Sequence, residues 1–238
     1  MQIETQLKEL RLHGMSRSWQ ILQETRKHHE LTLAEGLELL LGAEADARSG
    51  KRFDRLLKNA GFRYQASVEE LHADPARGID RSLITELTLG GYLTKGESVL
   101  ISGASGAGKS FLASALGHQA CAQGYWVAYY NLQKLLLRTK MSRIDGSIYK
   151  LMEKLAKTDL LILDDFGLTH LEKQQRMDMM EIIEDRHSRK STIIASQLPV
   201  ASWYDVIGED TIADAILDRL VHTAHRIELK GYENNIVM

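Results

Sequence analysis

Gly103-Ala104-Ser105-Gly106-Ala107-Gly108-Lys109-Ser110, continued by Phe111, stands between an apolar strand-like run, Ser98 to Ser102, and a helix-like stretch from Phe111 to Cys121. Glycines, lysine and hydroxyl fall at the spacing of a phosphate-cradling P-loop, with a strand before it and a helix after it. The chemistry divides among the positions. Glycines let successive backbone N–H groups turn toward phosphate oxygens, Lys109 supplies a point charge to the terminal phosphates, and Ser110 offers a hydroxyl to Mg2+. The stretch from Gly103 to Phe111 therefore predicts a nucleoside triphosphate site with Mg2+.

Downstream of this motif the apolar run Leu160-Leu161-Ile162-Leu163 ends in Asp164-Asp165. A buried strand that delivers carboxylates at its C-terminal end places them beside a P-loop on the binding edge of a parallel sheet. Asp164 suits Mg2+, held through water, and Asp165 suits the orientation of an attacking water; a solvated turn is the plainer reading of Asp165. The next strand-like run, Thr192 to Ala195, leads into Ser196-Gln197-Leu198-Pro199. Gln197 is either a sensor of the terminal phosphate or a strand-end residue that satisfies backbone groups. Nearer the C-terminus, Asp214-Ala-Ile-Leu-Asp218-Arg219-Leu220 has helical spacing, with Arg219 off the apolar stripe of Ile212, Ala215, Ile216 and Leu220. A guanidinium there is either simply exposed or placed to reach a neighbouring subunit's phosphate.

The surrounding sequence extends this into an α/β domain. Strand-like runs at 97–102, 125–130, 159–163, 191–195 and 225–229 alternate with helical ones at 109–123, 131–141, 147–157, 172–188 and 211–222. Such alternation predicts a parallel sheet flanked by helices. Residues 1–65 carry apolar residues at helical spacing with no strand signal, which predicts a small all-α N-terminal domain. Residues 66–96, with Asp74-Pro75 and Gly90-Gly91, lack a long period and look like a linker; residues 97–238 form the core domain.

Composition narrows the function classes. The 238 residues are 44% hydrophobic and 26% charged, ordinary for a globular protein, and the formal net charge of −2 offers no global attraction for polyanions. A nucleic-acid surface must therefore be local. Two stretches qualify: the helix-like 48–63 with Arg48, Lys51, Arg52, Arg55 and Lys58, and 134–157, where Lys134, Arg138, Lys140 and Arg143 lead the densest positive excess. Each is either a solvated face or a contact surface, and the second is the better candidate for DNA phosphates. The single cysteine, Cys121, excludes an intramolecular disulfide framework and fits the cytoplasm. No stretch approaches the roughly 18 apolar residues of a membrane span. The histidines show no metal spacing, so zinc is not expected, and Trp126 and Trp203 are expected in the core rather than as base-stacking platforms.

Taken together, GASGAGKSFLASAL, DLLILDDFG, IIASQLPVASW, IADAILDRLVHTAHRIELKG and the approach ARGIDRSLITEL resemble the IstB-like transposition helper ATPases, relatives of DnaC-type helicase loaders within the AAA+ class. The resemblance implies an AAA+ ATPase that oligomerises with ATP on duplex DNA and delivers it to a cognate transposase; a helicase loader is the alternative. By position it implies Lys109 and Ser110 as the Walker A lysine and hydroxyl, Asp164 and Asp165 as the Walker B acids, Gln197 as sensor 1 and Arg219 as arginine finger. It also implies that the insertion containing residues 131–145 faces the inside of the oligomer. Asp165 departs from the glutamate usual in related ATPases, which implies slow turnover. No C-terminal lid domain is expected after Arg219, and GYENNIVM departs from the family's polar finish, leaving the native tail open. A small-molecule P-loop kinase fits less well, because no acceptor-binding or lid signature accompanies the motif.

Overall fold

A computed structural model describes residues 2–71 and 74–230; the GYENNIVM tail lies outside them. The chain divides into two compact units, Met1–Arg55 and Leu56–Met238.

The first unit is helical, as its sequence periodicity predicts. It holds α1 (Gln2–Glu9), α2 (His13–Glu24) and most of α3 (Leu33–Ala60), with Leu7, Met15 and Leu22 buried. Leu12 at the N-cap of α2 offers no side-chain acceptor, so the first amides of that helix need another partner. Glu44 of α3 supplies it: its Oε2 accepts from the backbone N–H groups of Gly14 at 2.7 Å and Met15 at 3.2 Å. Arg48 donates to the other carboxylate oxygen at 2.8 Å. Gly14 has no room for a side chain, since a Cβ there would collide with the backbone of Ala43 and Glu44. Residues 48–60 of the basic stretch form the C-terminal half of α3, and Gly61, at φ 72°, stops the helix in the left-handed conformation that glycine adopts without strain.

In the second unit α4 (Arg81–Leu89) and α5 (Gly91–Lys95) precede the alternating pattern. These occupy part of the stretch expected to be a linker. Both are too short for a periodic signal, but Asp80 caps α4 by accepting from Ser82 N–H at 2.8 Å, and Leu87, Tyr92 and Leu93 are buried. The pattern then runs β1 (Val99–Gly103), α6 (Lys109–Ala122), β2 (Val127–Asn131), α7 (Leu132–Ile144), α8 (Ile148–Lys157), β3 (Leu160–Phe166), α9 (Lys173–Arg186), β4 (Ser191–Ser196), α10 (Trp203–Ile207), α11 (Asp210–Val221) and β5 (His225–Leu229).

The five strands pair in parallel in the order β2-β3-β4-β1-β5. Because all are parallel, every C-terminal strand end shares one edge, where the P-loop and the acids emerge. The placement of β4 between β1 and β3 sets Ser196 and Gln197 between those two groups. Alternate residues of β3 face opposite ways. Leu161 and Leu163 join the core formed with α7, α8, α9 and α11, whereas Ile162 meets α6 at Gly117.

Trp203 is fully buried with its ring 4.6 Å from that of Phe166, and its Nε1 donates to the Leu198 carbonyl at 3.1 Å. Trp126 departs from expectation: it is 40% exposed just before β2, where the strand has not yet entered the sheet. Cys121 is buried in α6, and burial pushes its thiol up to about 12. No described helix is long and apolar enough to cross a membrane.

Candidate ATP site

The P-loop leaves β1 through residues only glycine tolerates comfortably. Gly106 and Gly108 have φ 79° and 97°, and a Cβ on Gly103 would strike the Leu229 carbonyl at the end of β5. Ala104, Ser105 and Gly106 stay exposed, and Lys109, Ser110 and Phe111 form the first turn of α6. Lys109 is buried and folds back, its Nζ donating to the Ala104 carbonyl at 2.7 Å. Burial draws its pKa down, while the nearby charges of Asp164 and Asp165 act the other way. Arg77, a residue the sequence did not flag, braces the loop from outside: its Nη2 donates to the Ala107 carbonyl at 3.1 Å.

The two acids sit in different surroundings. Asp164 is buried, and its Oδ2 accepts from the Tyr129 hydroxyl, which also lies within hydrogen-bond reach of Ser110. Burial, followed by the bond to Asp164, raises the Tyr129 pKa and keeps the phenol protonated as a donor. Asp165 follows a register shift in β3 and has φ 60°, an unfavourable conformation for a non-glycine residue. Its N–H donates to Asp164 Oδ1 at 2.9 Å, and its Oδ2 accepts from Asn131 Nδ2 at 2.8 Å. Arg63 Nη1 stands 3.4 Å from Asp165 and 3.8 Å from Asp164. Tyr129, Asn131 and Arg63 carry no motif, because tertiary packing brings them to the acids.

Mg2+ fits this donor set. Ser110 and Asp164 both reach the Tyr129 oxygen, so a hydroxyl and a carboxylate converge on one small region, and the donors are hard oxygens. Among the described residues no three His, Cys, Asp and Glu side chains gather as a metal cage, so phosphate and water have to complete the shell.

The other expected site residues are dispersed. Gln197 is exposed at the end of β4. Its neighbour Ser196 takes the structural role, donating to the Phe166 carbonyl at 2.8 Å and accepting from Leu198 N–H at 3.0 Å. Arg219 donates to the Ala215 carbonyl at 2.8 Å and pairs with Glu184 of α9. It lines a crevice with Gly96, Ser98 and Thr192, which lie where β1 and β4 begin, so the P-loop of the same chain is at the opposite edge of the sheet. Lys134, Arg138 and Lys140 project from α7 into solvent. Arg143 instead bonds the buried carboxylate of Asp178 on α9, with its Nε at 3.2 Å, so its charge is matched within the chain.

This strand order with a P-loop after β1 and acids at the end of β3 defines an AAA+ ATPase core, here accompanied by an N-terminal helical unit. Residues 5–235 match the family of IstB-like ATP binding proteins, and the chain belongs to that family. It is 44% identical to an insertion sequence ATP-binding protein of Sinorhizobium fredii, covering 92% of this chain and 90% of that one. An IS21 ATP-binding protein of Pseudomonas aeruginosa is 27% identical over 97% of this chain and 87% of its own length. The fold resembles that of the DnaC helicase loader, with a TM-score of 0.60 and 22% identity over 70% of this chain and 98% of the loader. It also resembles the replication initiator DnaA bound to AMPPCP and single-stranded DNA, with a TM-score of 0.58 and 21% identity over 71% of this chain and 51% of DnaA. Membership of that family makes the chain an ATP-binding protein.

Proposed function

We propose that the protein is the ATP-dependent helper of a transposase: it assembles through ATP on duplex DNA, presents that DNA to the cognate transposase, and uses hydrolysis to regulate assembly and release. The observation that carries this reading is the position of Arg219. A helix-borne arginine at the sheet edge opposite its own P-loop is useless to its own nucleotide and suited to a neighbour's. Insertion-sequence relatives supply the transposition context.

In this reading Lys109 and the loop amides hold the phosphates, and Ser110 and Asp164 would hold Mg2+, whose charge would offset that of the phosphates. Asp165, steered by Asn131, orients the attacking water, and Gln197 monitors the terminal phosphate from between β3 and β1. Lys134, Arg138 and Lys140 contact the DNA backbone, a sequence-independent mode suited to capturing many targets. The protein works in the cytoplasm as a homo-oligomeric ring or spiral.

Imaging the full chain with duplex DNA and a non-hydrolysable ATP analogue tests the reading; protein that stays monomeric and ignores DNA refutes it. The fold likeness to DnaC favours a helicase loader as second reading. Retention on an immobilised replicative helicase with single-stranded DNA, and not on transposase with duplex, selects that alternative.

A further inference from the structure

The segment following α3 is anchored onto the ATP site by two adjacent side chains with different tasks. The Phe62 ring lies against α6, 4.5 Å from the ring of His118 and 6.3 Å from that of Tyr129. Gly117 makes the room, since a Cβ there would come within 2.5 Å of Phe62 Cε1. With Phe62 seated, Arg63 is delivered over the Walker B acids, with Tyr64 beneath its guanidinium at 5.5 Å. Gly61, Arg63, Tyr129, Asn131, Lys134 and Asp165 line the depression around it, about 480 Å3 in volume.

Two carboxylates side by side, one of them buried, need a counter-charge. Lys109 contributes from one side but is engaged with the Ala104 carbonyl, and Arg63 is the cation that ion-pairs with both acids. It thus stands beside the carboxylates that would hold a divalent ion. Arg63 is also 53% exposed on its side chain, so it can leave into water without a large desolvation change.

The geometry points to Arg63 as a built-in competitor of divalent metal at Asp164 and Asp165, which gives up the acids, together with its segment, when metal–nucleotide binds. This rests on the reading of Asp164 as a metal-holding residue. The consequence is regulatory: α3 runs directly into Gly61–Tyr64, so occupancy of the ATP site is reported to the base of that helix.

The test uses Mn2+ as probe on the full chain. Electron paramagnetic resonance titration of nucleotide-free protein is expected to show Mn2+ binding about tenfold more tightly in Arg63→Gln than in the wild type, as expected when a competing unit charge is removed at this range. In the wild type, saturating Mn2+ with ATP is expected to speed amide hydrogen exchange at residues 61–66. Equal Mn2+ affinity in the two proteins overturns the inference, as does unchanged or slowed exchange at 61–66. The metal titration needs neither hydrolysis nor DNA, so its failure is distinct from failure of the transposase-helper reading. The exchange measurement stands even if Arg63→Gln folds poorly.

Discussion

Arg219 is paired with Glu184 of its own chain, on the side of the sheet away from its own P-loop. An arginine that serves a neighbouring nucleotide has to exchange this carboxylate for phosphate, and the two partners are chemically alike: both accept a guanidinium through paired oxygens. The pair with Glu184, together with the bond to the Ala215 carbonyl, holds the side chain half-buried against α9.

Arg219→Ala is expected to keep ATP affinity and to lose about a thousandfold in hydrolysis, the lower end of what an arginine finger contributes. Lys109→Ala is expected to lose ATP binding while keeping its finger. Mixing the two inactive variants should restore part of the turnover, because each supplies what the other lacks. A steady-state phosphate-release assay on the mixture decides it: no recovery at any ratio removes the trans role.

Arg186 predicts stability rather than activity. Its guanidinium is buried and donates to Thr192 Oγ1 at 3.0 Å and to the carbonyls of Leu155 at 2.5 Å and Thr158 at 2.7 Å, with Ser191 O as a further acceptor. Burial works against the charge, lowering its pKa, but these acceptors tie the end of α8 to the starts of β3 and β4. Arg186→Met strands several buried carbonyls and should cost about 3–5 kcal/mol. Thermal unfolding followed by circular dichroism should show a midpoint roughly 10 °C lower. A midpoint within a degree or two of wild type means that water replaces the guanidinium.

The βα alternation was legible because each element is long enough for its hydrophobic period to register, and the Gly103–Ser110 loop and the Asp164-Asp165 pair stood out because each is contiguous. The short α4 and α5 were not, although the Asp80-Arg-Ser82 cap and Gly90 marked both ends of α4. The partners of the acids lay beyond reach for another reason. Arg63 and Asp165 are 102 positions apart and Asn131 and Asp165 are 34 apart, so only the packing of Phe62 on α6 and the pairing of β2 with β3 bring them together. Arg143 shows the reverse failure: it sits in the densest run of positive charge, yet a buried aspartate from α9 claims it.

That difference between Arg143 and its neighbours separates two outcomes. Replacing Arg138 and Lys140 by Glu should sharply weaken retention on duplex DNA at moderate salt while leaving ATP affinity intact. Partial neutralisation by Gln should lower the slope of log K against log salt by about 0.9 for each phosphate that is no longer neutralised. Arg143→Met should leave that slope unchanged and reduce thermal stability instead, because it leaves Asp178 buried and without its main counter-charge. Filter-binding across a salt series checks both; an unchanged slope in the Gln variants moves the DNA surface to the basic half of α3.

Glu44 makes the first unit sensitive to acid. The bond from Arg48, reinforced by those from the Met15 and Gly14 amides, lowers its pKa below the ordinary 4.5. A carboxylate whose folded pKa is depressed contributes stability that is present above its unfolded value and is lost as pH falls through the folded one. Below about pH 4.5 the anion that caps α2 is progressively protonated, and the Gly14 and Met15 amides lose their acceptor. Hydrogen exchange at these two amides, corrected for intrinsic rate, should rise as pH drops from 5 to 3, ahead of exchange in β1 and β3. Glu44→Gln should show fast exchange at both amides already at neutral pH and no further rise in that window. If wild type and Glu44→Gln exchange alike across the range, α2 is held by packing alone, and the carboxylate is incidental to it.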